Sequence, residues 1–538
     1  MSRRRVFALG IALLLGALLA MLFMRDEGRA VEVRVREGVL VGSESANVRR
    51  FLGIPYAEPP LGALRWQPPQ PLHAPWTGKR EALHFAGACV QGAKPSLASG
   101  SSEDCLYLNV WAPTAPGPHP VMVWIHGGGL MIGSANEAPY DGAPLAGTQD
   151  VIVVTLNYRL SYLGFLSLDS LQPDGEAIHG NQGFLDQVAA LRWVRDNIEA
   201  FGGDPHNVTV FGESGGAVST CLLLASPLTD GLLHKAIMQS GVCGIQPVRT
   251  RDEARQQTQT FLHKIGCANA ADPLACARAL SPKDIEARGL KPSNILTADS
   301  RSFSFYPLAA DDGVFISGTP QQQLRSEAKR GIPILLGTNA DEGSLFTGQI
   351  AFPEDAAAYE ADLEQRFSGA GAALAALYPF ADYQPIGRAY ARMFADAMEV
   401  CPTRRLAELR ASEGPVYLYQ FAQTPSAPVL SLMQLRHGSG AAPLGVYHGA
   451  DIAYVFATNT VAGQVWTGEQ KQTREHVMAY WASFARSGVP VAKGQSAWPA
   501  YTHDQRQYLR IDAAPQVARD LGADTCAVWD THPQFSFW

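Results

Sequence analysis

Hydrophobic and polar positions alternate near the start of the chain and then give way to longer apolar runs. The alternation in "VEVRVREGVLV", residues 31 to 41, predicts an early antiparallel hairpin. Six later runs are continuously apolar, which is typical of strands that are covered on both faces. These runs are "VMVWI" (Val121 to Ile125), "VIVVTL" (Val151 to Leu156), "VTVF" (Val208 to Phe211), "AIMQ" (Ala236 to Gln239), "IPILL" (Ile332 to Leu336) and "VYLYQF" (Val416 to Phe421).

Stretches with helical spacing lie between these runs. From Leu185 to Ile198, apolar residues recur every three or four positions, as on one face of a helix. Strands alternating with helices predict an α/β fold, in which a large, mostly parallel sheet carries helices on both faces and a small antiparallel hairpin comes first. No Ser/Gly linker, long charge run or fixed-period repeat follows residue 30, so residues 31–538 are predicted to form a single domain.

The first 30 residues have a different composition. Three arginines precede an uncharged stretch over residues 6–24, and charges return at Arg25, Asp26 and Glu27. This pattern predicts an export signal, either a peptide cleaved near Ala30 or an uncleaved anchor that attaches the protein to a membrane through residues 6–24. Both alternatives place the protein outside the cytoplasm, in the periplasm, secreted, or anchored at a membrane.

Charge and cysteine content narrow the function classes. Lys and Arg total 43 against 50 Asp and Glu, a net charge of −7, and no basic stripe appears, so nucleic-acid binding is not expected. Eight cysteines fit an oxidising compartment, and because no CxxC pair exists, disulfides are expected rather than a metal site. They are Cys89, Cys105, Cys221, Cys243, Cys267, Cys276, Cys401 and Cys526.

A candidate nucleophile lies directly after one of the apolar strands. In "VTVFGESGGAVS", Val208 to Ser219, the segment Gly212 to Gly216 fits G-x-S-x-G between a strand and a helix-like run. Such an elbow requires glycines on both sides of the serine because strand and helix approach closely there. The alternative is a glycine-rich turn without chemistry. On the first interpretation, Ser214 presents its hydroxyl to a cleft.

A second glycine cluster follows the strand at Val121 to Ile125. The segment "WIHGGGLMIG", Trp124 to Gly133, exposes successive backbone N–H groups, which can stabilise the oxyanion of an acyl-transfer intermediate. A phosphate-binding loop is the alternative, but the Lys and Ser/Thr of a P-loop are missing. We therefore assign the oxyanion hole to the N–H groups of Gly128, Gly129 and Gly215.

Acid and base candidates come later in the chain. "LLGTNADEGSLF" offers Asp341 and Glu342 beyond a strand, and His448 in "LGVYHGADIAYVF" competes as the base with His437 in "RHGSG". The order nucleophile, acid, base is that of α/β-hydrolases. Such a site hydrolyses its substrate without a metal or organic cofactor, and none is expected.

These motifs resemble type B carboxylesterases, the family of cholinesterases and bacterial nitrobenzyl esterases. "FGGDPHNVTVFGESGG" (Phe201 to Gly216) matches the active-site signature of that family, and "EDCLYLNVWAP" (Glu103 to Pro113) matches its second signature. The resemblance implies an α/β-hydrolase fold and a small-molecule ester as substrate. It also implies that Glu342 is the acid and His448 the base of an acyl-enzyme mechanism on Ser214.

The same resemblance implies three disulfides: Cys89 with Cys105, Cys267 with Cys276, and Cys401 with Cys526. Cys221 and Cys243 are expected to be buried small apolar groups rather than partners. Gly215 departs from the family, which usually has alanine after the nucleophile, and a more flexible elbow is expected. The short loop between Cys89 and Cys105 has no aromatic residue, which makes choline esters poor candidates.

Two other functions remain open at this point. Some proteins of this fold bind partners at the cell surface without catalysis, but they lack the nucleophile or the histidine. The other alternative keeps the same chemistry and changes the bond to an amide or a thioester. A secreted or anchored carboxylic-ester hydrolase is the function that the sequence favours.

Overall fold

The computed structural model describes most of the chain after the apolar N-terminal segment. The described residues are 28–91, 100–168, 180–243, 248–289, 309–347, 351–424, 441–458 and 465–532. The predicted export segment up to residue 27, His437 and residues 92–99 of the loop between Cys89 and Cys105 lie outside them. The first strand includes Arg29 and Ala30, so strand pairing begins two residues before the predicted domain boundary.

One large sheet organises the described chain. Its strands, together with the small separate pair β5–β6, are β1 Arg29–Val35, β2 Gly38–Ser45, β3 Val48–Pro55, β4 Lys79–Glu81, β5 Ala88–Cys89, β6 Ser101–Ser102, β7 Tyr107–Pro113, β8 His119–Ile125, β9 Ile152–Leu156, β10 Gly203–Glu213, β11 Lys235–Gln239, β12 Ile334–Asn339, β13 Val416–Phe421, β14 Gln507–Ile511 and β15 Gln516–Arg519. The order across the sheet is β1-β2-β3-β7-β9-β8-β10-β11-β12-β13-β14-β15, with β4 beside β2. All six apolar runs and the early hairpin are strands, as predicted.

The strand directions divide this sheet into a parallel centre and antiparallel edges. Neighbouring strands are parallel from β9 through β8, β10, β11, β12 and β13 to β14. The hairpin β1–β2, the strands β3 and β7, and the last strand β15 pair antiparallel. Because parallel strands end at the same edge, the segments after β8, β10, β11 and β12 come together there.

Helices cover both faces of this sheet. They are α1 Ala143–Gln149, α2 Ser161–Phe165, α3 Gln182–Asn197, α4 Gly215–Ala225, α5 Arg251–Ile265, α6 Pro273–Ala279, α7 Pro282–Gly289, α8 Pro320–Leu324, α9 Ala356–Arg366, α10 Gly371–Leu377, α11 Gly387–Phe394, α12 Cys401–Arg410, α13 Ile452–Phe456, α14 Gly468–Ser487 and α15 Ala523–Asp530. A π-helix, Ala395–Val400, joins α11 to α12. Within the described ranges, no helix is long and apolar enough to cross a membrane.

The burial of the central strand β8 on both faces explains why its sequence is apolar throughout. Val121 and Val123 belong to a core cluster that includes side chains of α3 and α4, whereas Met122 and Trp124 belong to a second cluster with side chains of α13 and α14. Every residue of β8 is buried. A strand covered on both faces cannot alternate apolar and polar residues, and this burial explains the continuous runs in the sequence.

Four disulfides link the described cysteines. The structure joins Cys89 to Cys105, Cys267 to Cys276 and Cys401 to Cys526, the same pairs that the resemblance implies. It also joins Cys221 to Cys243, so the expectation that these two are unpaired is wrong. The reason is topological: α4 packs against β11, and this brings Cys221 beside the segment that follows β11.

Candidate active site

Ser214 occupies a sharp turn between β10 and α4. Its backbone angles, φ 56° and ψ −123°, are strained for a residue with a side chain. A Cβ added at Gly216 would lie 2.0 Å from the carbonyl oxygen of Ile125, and one at Gly212 would lie 2.5 Å from the carbonyl of Gly216. The elbow therefore depends on both glycines. The N–H of Ser214 donates to the carbonyl of Gln239 at 2.9 Å, which ties the elbow to β11.

The glycine loop after β8 lies against this elbow. Gly128 and Gly129 have φ angles of 99° and 62°, which favour glycine. A Cβ added at Gly127 would lie 3.3 Å from Cβ of Ser214, and one at Gly215 would lie 2.9 Å from the backbone N of Gly129. The backbones of the three residues assigned to the oxyanion hole thus approach one another beside the serine.

The acid candidate follows β12, the second strand beyond β10. Glu342 is fully buried and begins a 3₁₀ turn. Its Oε1 accepts hydrogen bonds from the Ser240 hydroxyl and the Asn339 N–H, both at 2.5 Å. Asp341 is exposed instead, and its Oδ2 accepts from the N–H of Val446 at 2.8 Å. The two adjacent acids therefore have different surroundings, and only Glu342 faces the interior.

His448 connects this acid to the elbow. Its Nδ1 lies 2.6 Å from Oε2 of Glu342, and its Nε2 lies 3.3 Å from Oε1 of Glu213, the residue before Ser214. The second contact lacks the alignment of a hydrogen bond, and Nε2 has no hydrogen-bonding partner among the described residues. The ring of Phe346 lies 5.1 Å from the imidazole. One imidazole nitrogen is thus fixed by an acid, and the other is available.

A serine at a strained elbow, a histidine held by a buried acid and adjacent glycine amides can together carry out acyl transfer. Comparison with protein-family models matches residues 29–529 to the carboxylesterase family. The chain belongs to the carboxylesterase family. It is therefore a carboxylic-ester hydrolase, and the resemblance seen in the sequence is confirmed.

Relatives of this carboxylesterase extend over nearly its whole length. The cocaine esterase of Oryctolagus cuniculus is 35% identical over 92% of this chain and 93% of its own. The para-nitrobenzyl esterase of Bacillus subtilis (strain 168) is 34% identical over 91% of this chain and 96% of its own. A solved structure named PNB esterase superposes with a TM-score of 0.77 at 34% identity and covers 93% of this chain and 99% of its own. The comparison confirms the α/β-hydrolase fold.

The titrating groups of the carboxylesterase influence one another. Burial raises the pKa of Glu213 to about 8, although the charge of His448 opposes this shift. Burial lowers the pKa of His448, but the carboxylates of Glu213 and Glu342 outweigh it and raise that pKa to about 10. His126, which precedes the glycine loop, is buried, and burial lowers its pKa to about 4. His448 and His126 are thus shifted in opposite directions by the presence and absence of neighbouring carboxylates.

A buried polar network holds the residues on either side of His448 in place. Asp451, three residues after His448, accepts hydrogen bonds at Oδ2 from the Gln239 amide at 2.9 Å and the Tyr419 hydroxyl at 3.0 Å. The Asn339 amide donates to the carbonyl of Tyr447 at 3.1 Å. These contacts fix both flanks of His448 to the ends of β11 and β12 and to the middle of β13.

Sequence reasoning did not single out Ser240 or Asp451 as site residues. It also missed Glu399, a buried residue whose carboxyl interacts electrostatically with Glu342 and His448. Ser240 could have been found, because it directly follows the predicted strand "AIMQ", at the edge where the other candidates also lie. Glu399 gave no comparable signal, since it lies in a π-helix far along the chain. Among the described residues, no three His, Cys, Asp or Glu side chains are grouped as a metal ion would require.

Proposed function

We propose that this carboxylesterase hydrolyses small-molecule esters through an acyl-enzyme formed on Ser214. In this mechanism the Ser214 oxygen attacks the ester carbonyl while Nε2 of His448 takes its proton. The contact of 2.6 Å between Nδ1 of His448 and the buried Glu342 carries the proposal, because it leaves the opposite nitrogen to act as the base. The histidine then donates the proton to the leaving alcohol, and water hydrolyses the acyl-enzyme.

The N–H groups of Gly128, Gly129 and Gly215 stabilise the oxyanion in this proposal. The positive φ angles of the two loop glycines and the short approach of Gly215 to Gly129 support it. Fixed backbone donors need no reorganisation when charge develops, and loss of one donor typically costs about 3 kcal/mol of transition-state stabilisation.

Turnover of p-nitrophenyl esters with short and medium acyl chains tests the mechanism. We expect Ser214→Ala to lower kcat by at least about 10⁴-fold, because the variant lacks the oxygen on which the proposed acyl-enzyme forms. A burst of p-nitrophenol equal to the enzyme concentration should accompany wild-type turnover wherever deacylation is slow. Near-normal activity in a folded Ser214→Ala protein would exclude the proposed nucleophile.

We also propose that the protein is exported and works outside the cytoplasm. The four disulfides of the described chain support this, because such bonds persist mainly in oxidising compartments. Cell fractionation of the full-length protein, followed by its intact mass, tests the location and distinguishes a cleaved signal from an anchor through residues 6–24. Recovery in the cytoplasm with reactive thiols would contradict export.

A further inference from the structure

A third glutamate belongs to the cluster around His448. Glu399 is 93% buried, since only 7% of its surface is exposed. Its carboxyl interacts electrostatically with Glu342, His448 and Glu213, which come from three separate segments of the fold. Burial raises the pKa of Glu399 well above its usual value, and the Glu342 carboxylate raises it further. The proposed mechanism gives this residue no role.

The fold holds Glu399 in place through a continuous set of contacts. The turn that begins at Glu342 packs directly on α11, because a Cβ added at Gly343 would lie 1.9 Å from the carbonyl oxygen of Ala391. Phe346 of this turn stacks on Phe394, the last residue of α11, with ring centroids 4.4 Å apart. The π-helix that contains Glu399 starts at the next residue.

Two further contacts hold the π-helix near its start and directly after its end. Asp396 accepts hydrogen bonds from the Tyr378 hydroxyl at 2.8 Å and the Arg392 guanidinium at 2.9 Å. Cys401, the residue after the π-helix, is bonded to Cys526. A π-helix inserts one extra residue per turn, and such insertions recur at functional sites. These contacts fix the backbone that carries Glu399.

The hydrogen bonding of Glu399 differs from that of Glu342, whose Oε1 accepts two hydrogen bonds. Its Oε2 is buried and has no hydrogen-bonding partner within the described ranges. A buried polar oxygen without a partner lowers stability, and in a native protein it calls for an explanation such as a catalytic role or a bound water, ion or ligand. The missing partner is expected at the site where Ser214 and His448 act, because the three charged groups that influence Glu399, namely Glu342, His448 and Glu213, belong to it.

We propose that Glu399 is a specificity residue that hydrogen-bonds a hydroxyl group carried by the substrate close to its ester bond. A hydroxyl group can hydrogen-bond Glu399 in either protonation state, since it accepts a hydrogen bond from a carboxylic acid and donates one to a carboxylate. A site that is built to bond a hydroxyl discriminates strongly against an analogue that lacks it. This inference rests on the proposed esterase mechanism and adds a substrate class to it.

Two pairs of esters test the proposal. In each pair, one ester carries a hydroxyl group where the other carries a methyl group. Methyl 3-hydroxybutanoate against methyl 3-methylbutanoate places the group on the acyl side, and 2-hydroxypropyl butanoate against 2-methylpropyl butanoate places it on the alcohol side. The measured quantity is the ratio of kcat/KM within each pair. We expect Glu399→Leu to lower this ratio about tenfold in one pair, which also identifies the side, relative to the wild type.

A conservative variant and a neighbouring control separate specificity from structure. Glu399→Gln should keep most of the ratio because an amide both donates and accepts, and it also covers the case in which the leucine variant does not fold. Met398→Leu, on the same π-helix, should leave the ratio unchanged. Equal losses for both members of each pair, or a shifted pH profile without a change in ratio, would overturn the proposal.

The same measurements distinguish this inference from the mechanism on which it rests. If the wild-type protein hydrolyses none of the four esters and no p-nitrophenyl ester, the proposed function fails and the specificity assignment fails with it. If it hydrolyses them with ratios that Glu399→Leu does not change, only the assignment of Glu399 is wrong.

Discussion

Two of the buried glutamates in the cluster around His448 are held in contrasting ways. Glu342, at the end of a central parallel strand, accepts hydrogen bonds from Ser240 and Asn339 at one oxygen and contacts His448 with the other. Glu399, on a π-helix, leaves Oε2 without a partner in the part of the chain that the structure describes. The difference teaches that burial alone does not define a role: a satisfied acid orients another residue, whereas an unsatisfied acid is suited to a ligand.

Replacing the satisfied acid should have the largest effect. We expect Glu342→Gln to lower kcat by roughly 10³- to 10⁴-fold, because a neutral amide neither holds the imidazole in the required tautomer nor stabilises its positive charge. Steady-state kinetics with p-nitrophenyl butyrate measure the loss. The matched control is Asp341→Asn at the adjacent exposed acid, which should lose far less. The reverse order of the two variants would reassign the acid to Asp341.

Removing one support of Glu342 should have an intermediate effect. Ser240→Ala deletes the hydroxyl that bonds Oε1, and hydrogen bonds to charged groups contribute about 1.5–3 kcal/mol. A decrease in kcat of roughly 10- to 100-fold is expected, with little change in KM. Ser219→Ala is the control, since this buried hydroxyl bonds Gln187 and not the acid. Equal kinetics for the two variants would show that the contact of Ser240 does not support catalysis.

The effect of the surrounding carboxylates on the pKa of His448 can be measured from the pH dependence of activity. In the proposed mechanism the neutral imidazole of His448 is the base. Among the groups that raise its pKa, the Glu213 carboxylate has the largest effect. Glu213→Gln removes that carboxylate, so the pKa of His448 falls and the acid limb of the kcat/KM profile moves to lower pH by about one unit or more. Profiles from pH 6 to 11 measure the shift. An acid limb that stays in place or moves to higher pH would contradict this electrostatic coupling.

The contrast between these acids also marks what the sequence could predict. The strands, Ser214 and the glycine loop were predictable, because a motif between a strand and a helix carries its own structural context. Chain order alone left Asp341 and His437 open, and the family resemblance was needed to favour Glu342 and His448. Glu399 and the bond between Cys221 and Cys243 depend on contacts between distant segments, and no local pattern encodes such contacts.

The last expected effect concerns stability rather than turnover and reports directly on the unsatisfied glutamate. In the unfolded chain, Glu399 ionises near its ordinary pKa of about 4.3. In the folded protein, burial first and then the Glu342 carboxylate keep its pKa well above that value, so folding favours the protonated form. The stability linked to this proton is complete below the unfolded pKa and falls as pH rises toward the folded pKa, by up to about 1.4 kcal/mol per pH unit.

Glu399→Gln removes this dependence. As pH rises from 5 to 8, the melting temperature of the variant should therefore increase relative to that of the wild type. Differential scanning calorimetry at several pH values measures this gap in melting temperature. Glu360→Gln, at an exposed position of α9, is the control and should show a constant gap. A gap that is independent of pH for Glu399→Gln would mean that the folded protein ionises Glu399 as readily as the unfolded chain does. Its carboxyl would then have to be satisfied in the absence of substrate, and the contrast with Glu342 would disappear.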